Sequence, residues 1–329
     1  MMVMKIIFSS VILVTFLTVK AQNDGGFFNI AHMCNNIDTL DWAVREGANA
    51  IEADLQFDDQ GNPKRFYHGA PCDCNCMCNF HLTCYWFRPH TVCYPLSTNV
   101  KNCDAEADVT LWMRRAATKY SSKIALIWLD SKVKGKGYSE ETLRDAARNL
   151  INVLEDNLFS LGYKGVVLIG AEGHEIASYF NEVSKTTSTF KDRIYVTMDS
   201  VTMKTARNNL DFTNFKNIIY NNGMTGCSPR KIKSDLLTAI KDNVDKGVFS
   251  AAFTWTYNLK RSMRRVAPYF NGIITNSPPY LNKVVKEKGL RLAVPGERLP
   301  EATSSIVEDV PDDEMYDSEE DLTNDSEEL

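Results

Sequence analysis

After its first twenty or so residues, the chain has no apolar run near the roughly 20 residues that a bilayer-spanning helix needs. A membrane-spanning body is therefore not expected. No glycine-rich phosphate turn follows the first predicted strand, which argues against a doubly wound, dinucleotide-binding sheet. Histidine is scarce, five in 329 residues, so few side chains are tuned by default to exchange protons near neutrality. Residues 308–329 contain twelve Asp/Glu and no Lys or Arg. A segment that charged and that poor in apolar residues is expected to be disordered.

The start of the chain reads as a targeting segment. Met1–Lys5 is weakly basic, Ile6–Val19 is apolar, and Val19-Lys20-Ala21 offers small residues for cleavage. This is the pattern of a secretory signal peptide over residues 1–21, too short for an anchor, and it predicts a secreted protein. Nine cysteines in a secreted chain read as disulfides, with one thiol left over. The net charge of −5 divides into an acidic tail and a body of about +5 once tail and signal are set aside. Such a body suits an anionic lipid surface, or is ordinary solvation.

Eight short apolar runs alternate with amphipathic stretches. The runs are Phe27–His32, Ala50–Phe57, Lys123–Asp130, Gly165–Gly170, Arg193–Asp199, Asn217–Asn221, Ser250–Tyr257 and Gly272–Asn276. Nearly continuous apolar runs are strands covered on both faces, as in a parallel sheet. The helical stretches are Ile37–Glu46, Ala107–Tyr120, Ser139–Leu161, Glu175–Ser184, Thr202–Leu210, Ser228–Lys246, Leu259–Tyr269 and Tyr280–Lys288. Asp38 is the expected cap of the first, and Ser139 opens the third. Eight such units predict a (β/α)₈ TIM barrel over residues 22–289, with active residues at the C-terminal ends of its strands.

Polar residues ending the runs are therefore the site candidates. Glu52 and Asp54 alternate along one strand and so face one way. Asp130 ends another. Three carboxylates at one mouth repel unless a cation joins them, and oxygen ligands beside phosphate suit Mg²⁺. Any one of them alone reads equally as half of an ion pair. His32 and His68 are candidates for acid–base work, whereas His81, His90 and His174 read as structural. Lys132, two residues after Asp130, could face phosphate oxygens. Trp255 taken alone reads as barrel core, or as a face for a quaternary ammonium group. Asn276 ends the last run.

Ala31-His32-Met33, Gly47–Asp54, Tyr67-His68-Gly69-Ala70-Pro71-Cys72-Asp73-Cys74, Asp130-Ser131-Lys132, Trp255-Thr256 and Thr275-Asn276-Ser277-Pro278 stand in one order. That order resembles the arachnid sphingomyelinase D / phospholipase D dermonecrotic toxins over about residues 27–290. The family shares a glycerophosphodiester phosphodiesterase-like barrel. The resemblance implies Mg²⁺ held by Glu52, Asp54 and Asp130, His32 and His68 as the acid–base pair, and Lys132, Trp255 and Asn276 lining the substrate site. It implies release of choline or a similar headgroup from sphingomyelin or lysophospholipids at a membrane surface, with a cyclic phosphate as the other product. It also implies disulfides Cys72–Cys78 and Cys74–Cys227, and a C-terminal plug beginning Leu290-Arg291-Leu292-Ala293-Val294-Pro295 and running to about residue 306, before the acidic tail of 307–329.

The chain departs from the toxins in places. Residues 75–106 are longer and richer in cysteine than the usual catalytic loop. Cys76, Cys84, Cys93 and Cys103 are expected to form further bridges there, with Cys34 as the odd thiol; a zinc site using His81 or His90 is the alternative. Asn258 and Pro279 replace residues that are usually Asp. The functional alternatives are a glycerophosphodiester phosphodiesterase and a catalytically silent lipid-binding protein. No nucleic-acid partner is expected, and the chain is expected to be a monomer.

Overall fold

The computed structural model describes residues 25–69, 104–172, 176–186, 189–199, 202–211, 213, 215–223, 231–307 and 316–317. All eight predicted strands form. They are β1 (Phe28–Ala31), β2 (Ala50–Phe57), β3 (Leu126–Ser131), β4 (Val166–Glu172), β5 (Ile194–Asp199), β6 (Ile219–Asn221), β7 (Ala251–Thr254) and β8 (Gly272–Thr275). Each runs parallel to its neighbours in the order β5-β4-β3-β2-β1-β8-β7-β6. The seam between β5 and β6 is held more thinly. It carries a parallel bridge between Val196 and Ile218 and a 3.0 Å bond from Val196 N to Asn217 O. Asn217 reinforces the seam through its side chain, which donates to Ile194 O at 3.1 Å and Lys191 O at 2.8 Å. The expected (β/α)₈ barrel is thus present and nearly closed.

Alternation along the strands sorts their side chains into two cores. One residue of each pair points outward to the helices: Ile51, Ala53 and Leu55 of β2, and Ile127 and Leu129 of β3, join that outer core. The other points into the lumen. Phe28, Ile30, Ala50, Leu126, Trp128, Val166, Leu168, Tyr195, Ile219, Ala251, Phe253 and Ile274 fill it as a second buried cluster. Phe253 lies at its centre, with ring centroids 5.5 Å from Phe28 and 5.9 Å from Trp128. Gly170 of β4 is required here, because a Cβ on it would meet the Trp128 indole nitrogen at 2.6 Å.

The helices are α1 (Ile37–Arg45), α2 (Val109–Tyr120), α3 (Glu140–Leu154), α4 (Ala177–Thr186), α5 (Met203–Asp211), α6 (Ser234–Asp245), α7 (Lys260–Val266) and α8 (Pro278–Glu287). The cap of α1 is Asn36, not Asp38. Its side chain accepts from Thr39 N while Thr39 Oγ1 accepts from Asn36 N, a reciprocal capping box. Asp38 instead sits in the first turn, where a negative charge suits the helix dipole. Ser139 caps α3 as expected, accepting from Thr142 N. Helix α6 begins six residues later than predicted. Lys231–Ile232 are extended instead, and pair antiparallel with Tyr316–Asp317 of the acidic tail.

Two features absent from the sequence reading extend β2. An Asx turn, in which Asp58 Oδ1 accepts from Gln60 N and Asn62 N at 3.0 and 2.8 Å, reverses the chain. A strand over Pro63–Tyr67 then returns antiparallel along β2, and Glu106–Ala107 pairs on its far side.

Residues 290–304 run across the opposite, N-terminal ends of the barrel strands. Leu292 bridges Phe27, and Ala293 and Leu299 are buried in the lumenal cluster. Tyr195 OH donates to Leu299 O at 2.9 Å, and Ser304 N to Gly247 O at 3.0 Å. Asn49 fastens this end. Its Oδ1 accepts from Asn29 N at 2.7 Å, and its Nδ2 donates to Phe27 O and Ala293 O at 3.0 and 2.8 Å. Among the described residues no helix is long and apolar enough to cross a membrane. Because Asn49→Ala would strand the buried Asn29 N–H and Ala293 O, while Phe27 O keeps the Ala293 N–H at 3.0 Å, it should destabilise the fold by roughly 3 kcal/mol. Urea unfolding of the two proteins would measure this, and a change below about 0.5 kcal/mol would show that Asn49 is not a fastening.

Candidate active site

The lumenal ladder of each strand ends in a polar or aromatic residue at the C-terminal mouth. Ala50 of β2 faces the lumen, so Glu52 and Asp54 follow it on the same face, rising toward the mouth. Trp128 sets the same parity for Asp130 and Lys132 on β3, and Ile30 sets it for His32 after β1. Carboxylate oxygens of Glu52, Asp54 and Asp130 all lie within 4.8 Å of one another, with Glu52 and Asp54 buried and Asp130 half-buried.

The loop after β1 braces the first two. Met33 adopts a left-handed backbone, φ +50°, unusual for a side chain of its size. That turn aims its N–H at Glu52 Oε2, 2.6 Å away. Asn35 makes a reciprocal pair with β2: its Nδ2 donates to Asp54 Oδ2 at 2.6 Å, and its Oδ1 accepts from Asp54 N at 2.8 Å. Lys132 Nζ lies 2.8 Å from Asp54 Oδ1 and also pairs with Asp130.

Burial, then the charges of Asp54 and Asp130, push the Glu52 carboxyl well above the usual carboxylate range. Burial acts on Asp54 in the same direction, but Lys132, the positive form of His68 and the Asn35 amide outweigh it and hold Asp54 below that range. Burial would lower the Lys132 ammonium, yet Asp130 and Asp54 raise it well above normal. Three carboxylates against one ammonium leave an all-oxygen, anionic donor set, which fits a hard divalent cation. In this arrangement Lys132 is drawn onto the carboxylates rather than out toward the mouth.

Two half-buried histidines flank the group. His32 Nδ1 is 2.9 Å from Asn276 Oδ1. With the amide oxygen accepting, Nδ1 carries the proton and Nε2 the lone pair. Asn276 itself is only 1 % exposed, so it stands behind His32 as an orienting group. Its N–H donates to Asn258 Oδ1 at 2.8 Å. An amide oxygen fills that acceptor place as a carboxylate would, so the neutral Asn258 keeps the support. His68 does not follow β2 directly; the returning strand Pro63–Tyr67 carries it back down to the level of Asp54. Its Nδ1 donates to Gly69 O at 2.8 Å, which again leaves the lone pair on Nε2.

Trp255, expected as core or headgroup face, is partly buried at the top of the lumenal cluster. Its Nε1 donates to Asn221 Oδ1 at 3.0 Å. Asn221 Nδ2 in turn donates to Asp199 Oδ1 at 2.5 Å and Thr197 Oγ1 at 2.6 Å. Burial, followed by the nearby charge of Asp130, pushes Asp199 up to about 8. Asp199 and Asn221 end β5 and β6 and were overlooked in the sequence. The rule that found Asp130 (the polar residue closing an apolar run) points to both of them equally. Gly223 admits this arrangement, because a Cβ there would lie 1.9 Å from Trp255 O.

The residue order and this constellation match a known group. The family model described as Dermonecrotic toxin SPH matches residues 22–88 and 99–295. The chain belongs to the dermonecrotic toxin family. Among its relatives are the dermonecrotic toxin LiSicTox-betaID1 of Loxosceles intermedia, 25% identical over 82% of this chain and 85% of the toxin. LamSicTox-alphaIC1 of Loxosceles amazonica is 26% identical over 78% of this chain and 91% of the toxin. Family membership makes the chain an enzyme, a phosphodiesterase of the phospholipase D type. In fold it is similar to a protein described as a glycerophosphoryl diester phosphodiesterase from Silicibacter pomeroyi DSS-3. The TM-score is 0.55 at 10% identity, over 82% of this chain and 96% of that one.

Cys34 is a buried thiol whose Sγ lies 3.7 Å from Ala31 O and 3.9 Å from His32 O. The bridges expected for Cys72–Cys78 and Cys74–Cys227, the further cysteines Cys76, Cys84, Cys93 and Cys103, and His81, His90 and His174 lie outside the described residues, as does the signal segment.

A carboxyl raised in the folded state loses stability as pH climbs above its unfolded pKa. Glu52 and Asp199 should therefore make the cation-free protein less stable between about pH 5 and pH 8. In chelator at pH 7.5, Glu52→Gln should melt about 2–4 °C above the native chain, with the difference closing toward pH 4. Added Mg²⁺ should raise the native melting temperature and leave that of the variant unmoved. A variant that melts lower than native in chelator at pH 7.5 would refute this electrostatic account.

Proposed function

We propose that the chain is a secreted, Mg²⁺-dependent phospholipase D-type lyase that releases choline or a similar headgroup from sphingomyelin and lysophospholipids by intramolecular attack. The observation that carries the reading is the convergence of Glu52, Asp54 and Asp130 beside two histidines that each hold Nδ1–H in a hydrogen bond, which leaves the lone pair on Nε2. Glu52, Asp54 and Asp130 would hold the Mg²⁺, which supplies charge to draw electron density from the phosphoryl oxygens.

The histidines account for the protons. As the substrate's own hydroxyl oxygen bonds to phosphorus, one imidazole takes its proton. As the bond to the headgroup oxygen breaks, the other, entering as imidazolium, gives that oxygen a proton. The products are a cyclic phosphate and a free choline-type alcohol, and the histidines have exchanged protonation states. Asn276 and Gly69 O hold the two rings by Nδ1, so Nε2 is the atom left to exchange a proton. With Asp54 and Asp130 committed to the cation, the Lys132 ammonium would be left to neutralise phosphate oxygens. Trp255, fixed by Asn221, offers its indole face to the quaternary ammonium.

In domain terms, residues 1–21 are the removed signal, 22–289 the catalytic barrel, 290–306 the plug and 307–329 the acidic tail. The protein acts extracellularly as a monomer on lipid surfaces.

Incubation with sphingomyelin and Mg²⁺, followed by ³¹P NMR, should show a cyclic phosphate appearing with free choline. An open phosphomonoester would instead mean hydrolysis by water. Unchanged lipid would mean a different headgroup or a silent binding protein. His32→Ala and His68→Ala should each lower turnover by about 100-fold or more without lowering the melting temperature, since neither ring is packed in a core. Undiminished turnover in both variants would remove them from the mechanism.

A further inference from the structure

Strands β5, β6 and β7 end in one connected set of side chains. Lumenal parity runs from Tyr195 to Thr197 and Asp199 on β5, from Ile219 to Asn221 on β6, and from Phe253 to Trp255 after β7. The register brings these ends level. Val196 bridges Ile218, which sets Asn221 beside Asp199, and Asn221 is the direct partner of Phe253, one lumenal step below Trp255. Asn221 is fully buried. Its Oδ1 accepts from Trp255 Nε1 at 3.0 Å. Its Nδ2 donates to Asp199 Oδ1 at 2.5 Å and Thr197 Oγ1 at 2.6 Å, with Met198 O farther off at 3.3 Å.

An amide can sit either way round, and its partners decide which. An indole N–H only donates, so Asn221 holds Trp255 only with Oδ1 toward it. Turned over, the amide would set N–H against N–H at Trp255 and oxygen against oxygen at Asp199. The Thr197 hydroxyl can donate or accept and would follow either arrangement. A carboxyl oxygen accepts, so Asp199 fixes the sense of the amide, with the longer bond to Met198 O in support. The proton that burial favours on this carboxyl can sit on Oδ2 while Oδ1 goes on accepting, so both forms serve. Asp199 stands outside the cation cluster, which among the described residues comprises Glu52, Asp54 and Asp130.

We propose that Asp199 is a positioning residue for the headgroup site, holding the Trp255 ring through Asn221 in the orientation that meets the quaternary ammonium; its headgroup half rests on the proposed function. Cation–π attraction requires the cation to lie over the ring face. A tryptophan held at Nε1 cannot swing about its side-chain bonds without breaking a buried hydrogen bond, so the face is set before substrate arrives. Asp199 acts at two removes from the headgroup, across the seam where β5 and β6 share a single bridge. Its loss should weaken headgroup binding in the ground state and the transition state alike, and leave the proton transfers alone.

The test labels the five tryptophans with ¹⁵N at the indole nitrogen and identifies the Trp255 signal by its loss in Trp255→Phe. In the cation-free protein, the Trp255 indole proton should move upfield in Asp199→Ala, as a lost hydrogen bond requires. It should keep its native position in Asp199→Asn, whose Oδ1 still accepts from Asn221. Asp199→Ser, too short to reach the amide, should behave as Asp199→Ala does and takes its place if that variant does not fold. Choline release from micellar lysophosphatidylcholine with Mg²⁺ should show KM raised about ten-fold in Asp199→Ala, with kcat within about two-fold of native. Asp199→Asn should restore the native KM. An unmoved Trp255 signal in Asp199→Ala and Asp199→Ser overturns the proposal, and so does a moved signal with unchanged KM. A raised KM in Asp199→Asn with a native indole signal overturns it too, because the carboxylate charge would then be acting on the substrate directly. If the native protein releases no choline, the proposed function and the headgroup role fail together, while the indole signals still decide whether Asp199 positions Trp255.

Discussion

Glu52, Asp54 and Asp130 share one low-dielectric mouth with a single ammonium, and their mutual repulsion sets the terms for everything around them. Two unit charges about 4 Å apart interact by roughly 4 kcal/mol at an effective dielectric near 20. Burial raises Glu52 and Asp199 first, and the negative charge that one ion pair with Lys132 cannot cancel raises them further. A divalent cation relieves the same repulsion while adding ligand bonds. The barrel therefore holds a cluster that is costly when bare and favourable when filled, and its chemistry follows from that imbalance.

Such a cluster stays in place only if its surroundings are over-determined. The turn at Met33, the reciprocal Asn35–Asp54 pair and the Met33 N–H to Glu52 bond come from one short loop after β1. The histidines are held from behind, His32 through Asn276 and Asn258, His68 through Gly69 O. These supports are amides and backbone groups. They direct lone pairs and protons without adding charge to a site that already has too much of one sign. The neutral Asn258 fits this logic, since its oxygen serves Asn276 without a further negative charge at the rim.

The two ends of the barrel are managed differently. At the N-terminal end, Ala293, Leu299 and Asn49 close the lumen with apolar contact and paired backbone. At the catalytic end, charge decides: the carboxylates of Glu52, Asp54 and Asp130 gather within, against the single ammonium of Lys132. The weak seam between β5 and β6 lies beneath Asp199 and Asn221, whose hydrogen bond ties the two strands together above the point where the backbone ladder thins.

The sequence by itself determined the barrel and most of its mouth. Short, nearly continuous apolar runs alternating with amphipathic stretches read as strands covered on both faces, and period-two alternation then places Glu52 with Asp54 and Asp130 with Lys132. The same rule was legible for Asp199 and Asn221, which went unread because neither stood in a familiar motif. Tertiary structure alone decided the rest. The antiparallel return of Pro63–Tyr67 delivers His68 to Asp54, a placement that depends on a turn and not on any period. Asn36 took the cap from Asp38 because cap geometry is a matter of φ, ψ and a hydroxyl three residues on, which periodicity does not encode. Asn276 was pulled behind His32, Lys132 onto the carboxylates, and Tyr316–Asp317 beside Ile232. Each of these depends on a contact between residues far apart in the chain, and local sequence pattern carries no information about contacts that only closure of the barrel creates.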